Sequence, residues 1–293
     1  MRGRVSEHKT VIQARDGHPL AASVFAVEDE EPERVVIIAA ATAVRRGFYE
    51  PYARYVAANG CAAITFDYRG IGGSLTKPIA EANATIRDWG EKDYPAIIDW
   101  AAARFPGRKI SIVGHSVGGQ LVGVLDNVDR IDSVCTVAAQ NGYFRLYPWR
   151  QAIAYGLLWH VMPLVARVLS YFPAKRLKLG EDLPKGVALE WARFCRNPLY
   201  MIAPDGAPLQ KGFEAYEGRV LAYSIDDDLR APRACVRVLH DRFAKAKVEG
   251  RHVAPRELGA KSIGHVGFFF GKFKHSLWRE SLEWLRTATT ATP

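Results

Sequence analysis

The chain has 293 residues, of which 48% are hydrophobic and 24% charged, and this composition excludes an intrinsically disordered or fibrous protein. Its length accommodates one substantial core with room for an inserted subdomain. The net charge is +9, but the basic residues are scattered and interleaved with acidic ones. A basic solvated surface is therefore the favoured interpretation, and no nucleic-acid partner is expected.

The first 115 residues predict a hairpin followed by alternating strands and helices. Residues 10–14 and 20–27 flank Asp16-Gly17 and are typical of an antiparallel hairpin. The continuously apolar runs beyond them predict buried strands, and amphipathic stretches between these runs predict helices. The strands are expected at 35–38, 62–66 and 110–113, and the helices at 48–59 and 88–105.

The second half repeats the alternation after one long interruption. Strands are expected at 131–138 and 219–225, a short further segment at 249–253, and helices at 232–246 and 275–285. Strands that alternate with helices predict an α/β protein with a mostly parallel central sheet and helices on both faces. We assign residues 1–142 and 218–293 to this core.

The interruption, residues 143–217, is called the insert below. It is rich in aromatic residues and shows helical spacing without an obvious strand, so we predict a helical lid inserted in the core. Residues 152–171 are apolar enough to suggest a membrane span, but His160, Pro163 and Arg167 interrupt them. The lid is the favoured interpretation, and membrane association is not favoured.

No motif for a cofactor, a metal or a disulfide framework is present, and none of the three is expected. The four cysteines are far apart and form no C-x-x-C pair. The glycines at 70–73 do not complete a dinucleotide fingerprint, because Leu75 stands where a glycine is required. The first 16 residues are polar and lack the apolar core of a signal peptide, so a cytoplasmic location is expected. The cysteines are Cys61, Cys135, Cys195 and Cys235.

The most informative motif is the pentapeptide at 114–118, which reads Gly-His-Ser-Val-Gly. It follows an apolar strand and leads into a glycine-rich helix start. This strand–turn–helix context is typical of a nucleophile turn, in which flanking glycines allow a strained backbone and close strand–helix packing. We predict Ser116 as a catalytic nucleophile.

A serine nucleophile requires a base and an acid, which in sheets of this kind follow in the order Ser, Asp or Glu, His. Three aspartates at 226–228 follow a predicted strand directly, and Asp228 is the favoured acid, with Asp227 close behind. His265 stands between two glycines on a late loop, where it can reach the serine. The oxyanion hole is expected to use the amides of Val117 and Ala41, with Thr42 as the alternative to Ala41.

With these residues the chain resembles the α/β-hydrolase superfamily. The segments that carry the resemblance are the nucleophile turn, Asp-Tyr-Arg-Gly-Ile-Gly-Gly-Ser at 67–74, the spacing from Asp228 to Pro232, and Gly264-His265. Within the superfamily it looks like bacterial predicted hydrolases related to serine aminopeptidase-like (S33-type) and lipase-like proteins. Many relatives carry His-Gly where this chain has Ala-Ala at 39–40, which leaves the oxyanion amide open. The resemblance implies the same fold and triad.

The leading hypothesis is a serine hydrolase that cleaves carboxylic esters of small to medium lipophilic acyl or aryl groups, its small-molecule partners. One alternative is an aminopeptidase or amidase of the same fold, which would need a carboxylate in the insert to bind an amine. Another is a non-catalytic binding protein of this fold. The candidate carboxylates are Glu181, Asp182 and Glu190.

Overall fold

The computed structural model describes residues 3–287, and an eight-stranded sheet forms its centre. The strands lie in the order β1-β2-β4-β3-β5-β6-β9-β10. Strands β1 and β2 are antiparallel to their neighbours, and all pairings from β4 to β10 are parallel. The strands are β1 (Val5–Gln13), β2 (Pro19–Val27), β3 (Arg34–Ala39), β4 (Ala62–Phe66), β5 (Lys109–His115), β6 (Ile131–Val137), β9 (Arg219–Ile225) and β10 (Lys247–Val253), with β7 (Tyr171–Phe172) and β8 (Leu183–Pro184) as a separate antiparallel pair.

Nine α-helices alternate with the strands within the described residues. A π-helical turn, Trp89–Asp93, joins α2 to α3, and a second one, Lys274–Trp278, precedes α9. The helices are α1 (Glu50–Ala58), α2 (Ile86–Asp88), α3 (Tyr94–Arg104), α4 (Val117–Gln120), α5 (Trp149–Leu169), α6 (Lys185–Cys195), α7 (Lys211–Ala215), α8 (Arg233–His240) and α9 (Arg279–Arg286).

Both faces of the sheet are covered, as the sequence predicted. Every residue of β3 and β4 is buried, which requires packing on both sides of these strands. On one side α1 and α9 contact each other through a 2.9 Å hydrogen bond between the hydroxyls of Tyr52 and Ser281. Helix α8 packs on the sheet through His240, whose Nε2 lies 2.8 Å from the Thr136 hydroxyl of β6.

The structure differs from the sequence predictions at two places. The helix expected at 232–246 ends at His240, because Lys247 begins β10 and the chain must turn back before it. The insert lies between β6 and β9 and adds no strand to the central sheet, but it contains the short pair β7 and β8 that its sequence did not indicate. Its helices are α5, α6 and α7.

Candidate active site

Ser116 lies in a strained turn between β5 and α4. Its backbone has φ 51° and ψ −115°, which L-residues rarely adopt. The Ser116 amide donates a 2.9 Å hydrogen bond to the carbonyl of Val137 on β6, which fixes the turn against the sheet. The strain is therefore held by the surrounding fold at the one residue whose sequence context indicated a nucleophile.

Glycines make the strained turn compatible with the packing around it. A Cβ on Gly118 would lie 2.2 Å from the carbonyl oxygen of Ala39. A Cβ on Gly114 would lie 2.6 Å from the amide nitrogen of Gly119. Helix α4 can approach β3 and β5 this closely only without side chains at these positions.

Asp228 and His265 form a hydrogen-bonded pair beyond the carboxyl end of β9. Nδ1 of His265 lies 2.7 Å from Oδ2 of Asp228, and the Asp228 side chain is almost fully buried. The other carboxylate oxygen accepts hydrogen bonds from the amides of Arg230 (2.8 Å) and Ala231 (3.2 Å). A carboxylate only accepts, so Nδ1–H donates this hydrogen bond and Nε2 is the ring nitrogen left for another partner.

The adjacent Asp227 forms its hydrogen bonds not with the His265 side chain but with the loop that carries it. Its carboxylate accepts hydrogen bonds from the amides of Gly264 (2.9 Å) and Ile263 (3.0 Å) and from the hydroxyl of Ser262 (2.8 Å). Burial acts to raise the pKa of Asp227, but these hydrogen bonds outweigh it and the pKa lies below its usual value. Asp226 is exposed and lies 3.3 Å from Nε2 of His252.

Ser116 and His265 line the same cavity, which has a volume of about 520 Å³. Among the described residues the Ser116 hydroxyl has no hydrogen-bond partner, so it is free to face a ligand. Most of the apolar lining comes from the insert, and no carboxylate lines the cavity in the part of the chain the structure covers. The insert side chains include Tyr147, Tyr155, Leu158, Trp159, Met162, Phe172, Leu183 and Trp191.

The prediction that the Ala41 amide serves the oxyanion hole does not fit the structure. This amide donates a 2.8 Å hydrogen bond to the hydroxyl of Tyr49 and has no second hydrogen to offer. Thr42, the alternative, lies in a turn closed by Val44 and lines the cavity, and its amide has no acceptor among residues 3–287. Val117 begins α4, where an amide has no partner within the helix.

Two buried residues that the sequence analysis missed, Tyr49 and His115, connect the loops of the site. Nε2 of His115 lies 2.9 Å from the carbonyl oxygen of His265, and Nδ1 lies 2.7 Å from the Tyr49 hydroxyl. Burial lowers the pKa of His115 well below its usual value, so the ring is neutral. The carbonyl can only accept, so Nε2–H donates to it and Nδ1 accepts the Tyr49 proton.

The hydrogen bonds therefore run in one direction from Ala41 to Tyr49 to His115, and from His115 to the His265 loop. In the sequence, the only indication of this series of hydrogen bonds is the histidine at the second position of the pentapeptide, a position where the motif allows any residue. Nothing in the sequence indicates this role for Tyr49, because aromatic residues at the start of a helix are also common in the hydrophobic core.

Tyrosines of the insert bind the loop that carries Asp228. The Tyr147 hydroxyl donates to the carbonyl of Arg230 at 2.9 Å, and the Tyr155 hydroxyl reaches the carbonyl of Leu229 at 3.4 Å. From its other end the insert reaches the core through Tyr200, which donates to the side chain of Gln120 at 2.8 Å. The insert is thus attached to the core by residues from both of its halves.

The three insert carboxylates named as candidate amine ligands do not line the cavity. Glu181 pairs with Arg45 at 2.7 Å and with Lys175 at 3.0 Å. Asp182 accepts the Lys175 amide, and Glu190 accepts the amide of Arg87 at 2.8 Å. Each carboxylate therefore has a structural partner outside the cavity.

A mostly parallel sheet that carries a serine on a strained strand–helix turn, with a later Asp–His pair whose histidine lines the same cavity, is typical of the α/β-hydrolase class. The sequence model of the alpha/beta hydrolase family matches residues 35–269. The chain therefore belongs to that family, which confirms the resemblance at the level of the superfamily and the fold. The narrower resemblance to the S33-type and lipase-like group stays a prediction.

Solved structures of similar fold include several esterases. An esterase (EaEST) from Exiguobacterium antarcticum has a TM-score of 0.60 and 15% identity, covering 96% of this chain and 100% of its own. An esterase from Pyrococcus furiosus has a TM-score of 0.60 and 13% identity, over 96% and 90%. Est1E from Butyrivibrio proteoclasticus, solved with ferulic acid bound, has a TM-score of 0.60 and 15% identity, over 94% and 97%. At these identities the likeness establishes the fold.

Proposed function

We propose that this protein is a serine hydrolase that cleaves carboxylic esters with lipophilic acyl or aryl groups through an acyl-enzyme on Ser116. One observation carries the proposal. Ser116 and His265 line a single apolar cavity, and His265 is held there by a 2.7 Å hydrogen bond to the buried Asp228. These are the nucleophile, base and acid that acyl transfer requires.

In the first half of the reaction, Oγ of Ser116 attacks the ester carbonyl carbon while its proton passes to Nε2 of His265. The amides of Val117 and Thr42 donate hydrogen bonds to the oxyanion of the tetrahedral intermediate. The bond from carbon to the alcohol oxygen then breaks, and His265 gives its proton to the departing alkoxide. The acyl group remains on Ser116.

In the second half, water attacks the acyl carbon and gives its proton to His265. The bond to Ser116 breaks, the serine oxygen takes the proton back, and the carboxylic acid leaves. Asp228 holds the imidazole in the required tautomer throughout and stabilises the imidazolium that forms twice in the cycle. The Ser116 hydroxyl has no hydrogen-bond partner among the described residues. This is compatible with the reaction steps above, since catalytic hydrogen bonds often tighten only when substrate is bound.

The lining of the cavity favours an ester over an aminopeptidase substrate. An α-amine needs a carboxylate partner when it leaves water, and none lines the cavity among the described residues. The charged side chains at the cavity are instead the cations Lys178 and Arg230. Aromatic and aliphatic side chains dominate the remainder and gain free energy by burying carbon.

Labelling with a fluorophosphonate probe tests the proposal. We expect the wild type to be labelled and Ser116→Ala to be unlabelled, with the exposed-loop substitution Asp205→Ala labelled as the wild type is. A wild type that stays unlabelled while a control hydrolase reacts would support the non-catalytic binding protein instead. A panel of nitrophenyl esters from acetyl to dodecanoyl, with aryl esters and aminoacyl amides, then defines the acyl preference, and turnover of the amides alone would support the aminopeptidase.

A further inference from the structure

Helix α5 presents different chemistry on its two sides. The side that packs against the protein contributes buried residues, including Trp159, Met162 and Ala166. The opposite side carries large apolar residues that are exposed, such as Leu157 (66%) and Val168 (82%). Their spacing of three or four residues places them on one stripe along the helix. The stripe consists of Trp149, Ile153, Leu157, Val161, Leu164 and Val168.

This stripe is an exposed apolar surface that the fold does not use. Leu169 at the end of the helix and Leu177 in the segment after it are exposed as well. Scattered exposed leucines are ordinary, but six large exposed apolar side chains along one stripe of a helix mark an interaction site.

The segment that carries the stripe has charges of one sign. Residues 143–180 contain six basic residues and no acidic one. All six basic residues are exposed, and five of them have no carboxylate partner within residues 3–287, the exception being Lys175, which pairs with Glu181. The guanidinium of Arg150 lies over the Trp149 ring, 5.1 Å from its centroid. The basic residues are Arg145, Arg150, Arg167, Lys175, Arg176 and Lys178.

We propose that this face docks on the surface of an anionic lipid bilayer, with α5 lying in the plane of the interface. A helix in that position buries its apolar stripe among the acyl chains, and flanking lysines and arginines contact anionic headgroups. An indole at the start of the helix is also a side chain that prefers the interface. This docking does not depend on the ester chemistry proposed above.

Two other placements fit the observations less well. By length and composition α5 could cross a membrane, with a mean hydropathy of 1.5 in its most apolar window. However, its inner side packs into the core and lines the cavity of Ser116, and a span would remove both contacts. A second copy of the chain would bring two faces of high positive charge together, which is unfavourable.

The position of α5 between the docking face and the cavity has a consequence for access. Leu158, Trp159 and Met162 line the cavity on one side of the helix while the stripe covers the other. A docked molecule would therefore hold its lipophilic cavity one helix diameter from the acyl chains, about 10 Å. A carbon-rich ester dissolved in the bilayer would then reach the cavity without crossing much water.

Co-flotation with vesicles tests the docking. The samples are phosphatidylcholine vesicles alone and phosphatidylcholine with about 30% phosphatidylglycerol, at low and at physiological ionic strength. The stripe variant is Leu157→Glu with Leu164→Glu. The control is Val11→Glu with Val248→Glu, which adds the same charge at exposed positions on the two edge strands β1 and β10.

We expect the wild type and the control to float with the anionic vesicles, and the stripe variant to bind at least about tenfold more weakly. Thermal melting and turnover of acetyl ester in solution check that both variants are folded, since neither changes a cavity residue. Absence of binding to anionic vesicles at low ionic strength would overturn the proposal, and so would equal binding by the two variants. A dimer that the stripe variant dissociates, without vesicle binding, would assign the face to a second copy.

Discussion

The hydroxyl of Tyr49 lies 2.7 Å from Nδ1 of His115 and also receives the amide proton of Ala41 at 2.8 Å. Through this one hydroxyl, the loop that carries Ala41 is connected to the residue before Ser116. His115 extends the connection to the backbone of His265. The loops that carry Ala41, Ser116 and His265, whose relative positions matter for the proposed acyl transfer, are thus joined by the buried side chains of Tyr49 and His115.

We predict that Tyr49→Phe impairs catalysis by moving these loops. The variant leaves the Ala41 amide and Nδ1 of His115 without a partner, which costs about 1–3 kcal/mol of unfolding free energy. Because the loops lose their alignment, kcat for a nitrophenyl ester should fall by about 10- to 100-fold with little change in KM. Urea unfolding and steady-state kinetics measure the two effects.

The matched control for Tyr49→Phe is Tyr52→Phe. Tyr52 lies in α1, just after Tyr49, and is equally buried, but its hydroxyl bonds to Ser281 on α9, away from the site. We expect a comparable loss of stability and no loss of kcat. If both variants lost the same activity, the network would be merely structural and the positioning role would be wrong.

The three consecutive aspartates predict three different outcomes for the same substitution. Asp228→Asn removes the acceptor for Nδ1–H of His265 and favours the wrong tautomer, which should lower kcat by about 10⁴-fold. Asp227→Asn weakens the support of the His265 loop and should cost about 10- to 100-fold. Asp226→Asn changes an exposed carboxylate and should be close to neutral, which makes it the control.

Steady-state kinetics on the three purified variants check this order. The unfolding midpoint of each variant separates loss of activity from loss of structure. An Asp227→Asn variant as inactive as Asp228→Asn, with an unchanged midpoint, would contradict the assignment of the acid. The test is sharp because the three positions are adjacent and the substitution is identical.

The close packing at the nucleophile turn predicts a large effect for a single methyl group. Gly118→Ala would place its Cβ 2.2 Å from the carbonyl oxygen of Ala39, a backbone atom that cannot move aside cheaply. We expect a loss of about 3 kcal/mol of unfolding free energy. Gly47→Ala is the control, since a Cβ there meets nothing within 4 Å. Equal unfolding midpoints for the two variants would show that the turn is less constrained than its geometry indicates.

The sheet could be predicted from sequence because apolar runs and turn residues report local structure directly. The runs at 35–38 and 62–66 lie within β3 and β4, and Gly60, with φ 92°, ends the helix before β4. Ser116 and His265 could be chosen because glycines mark unusual backbone at both positions. The choice between Ala41 and Thr42 depends instead on where an amide points, which a run of small residues does not encode.

The rest of the site depends on contacts between residues that are far apart in the sequence. Tyr49 is 66 positions from His115, and nothing in its neighbourhood distinguishes it from a core aromatic. The insert illustrates the same limit on a larger scale. Its apolar periodicity predicts helix α5, but only the tertiary structure shows that Trp159 faces the cavity while Leu157 faces outward.

The buried His240 predicts a specific dependence of stability on pH. Nδ1–H of the ring donates to the Val236 carbonyl (2.7 Å), and Nε2 accepts from the Thr136 hydroxyl (2.8 Å). Burial lowers the pKa of His240 from 6.5 to about 4. Between these two values the unfolded chain binds a proton that the folded protein does not. The free energy of unfolding must therefore decrease as the pH falls through this window. Above about pH 6.5 His240 no longer makes stability depend on pH.

Replacing His240 should make the free energy of unfolding depend less on pH in this range. We expect the wild type to lose up to about 2 kcal/mol more than His240→Gln between pH 7 and pH 5, because each pKa unit corresponds to about 1.4 kcal/mol. Urea unfolding at the two pH values measures the difference, with the exposed His275→Gln as the control. Parallel curves for the wild type and His240→Gln would mean that the ring titrates equally in the folded and unfolded chain, which burial against β6 does not allow.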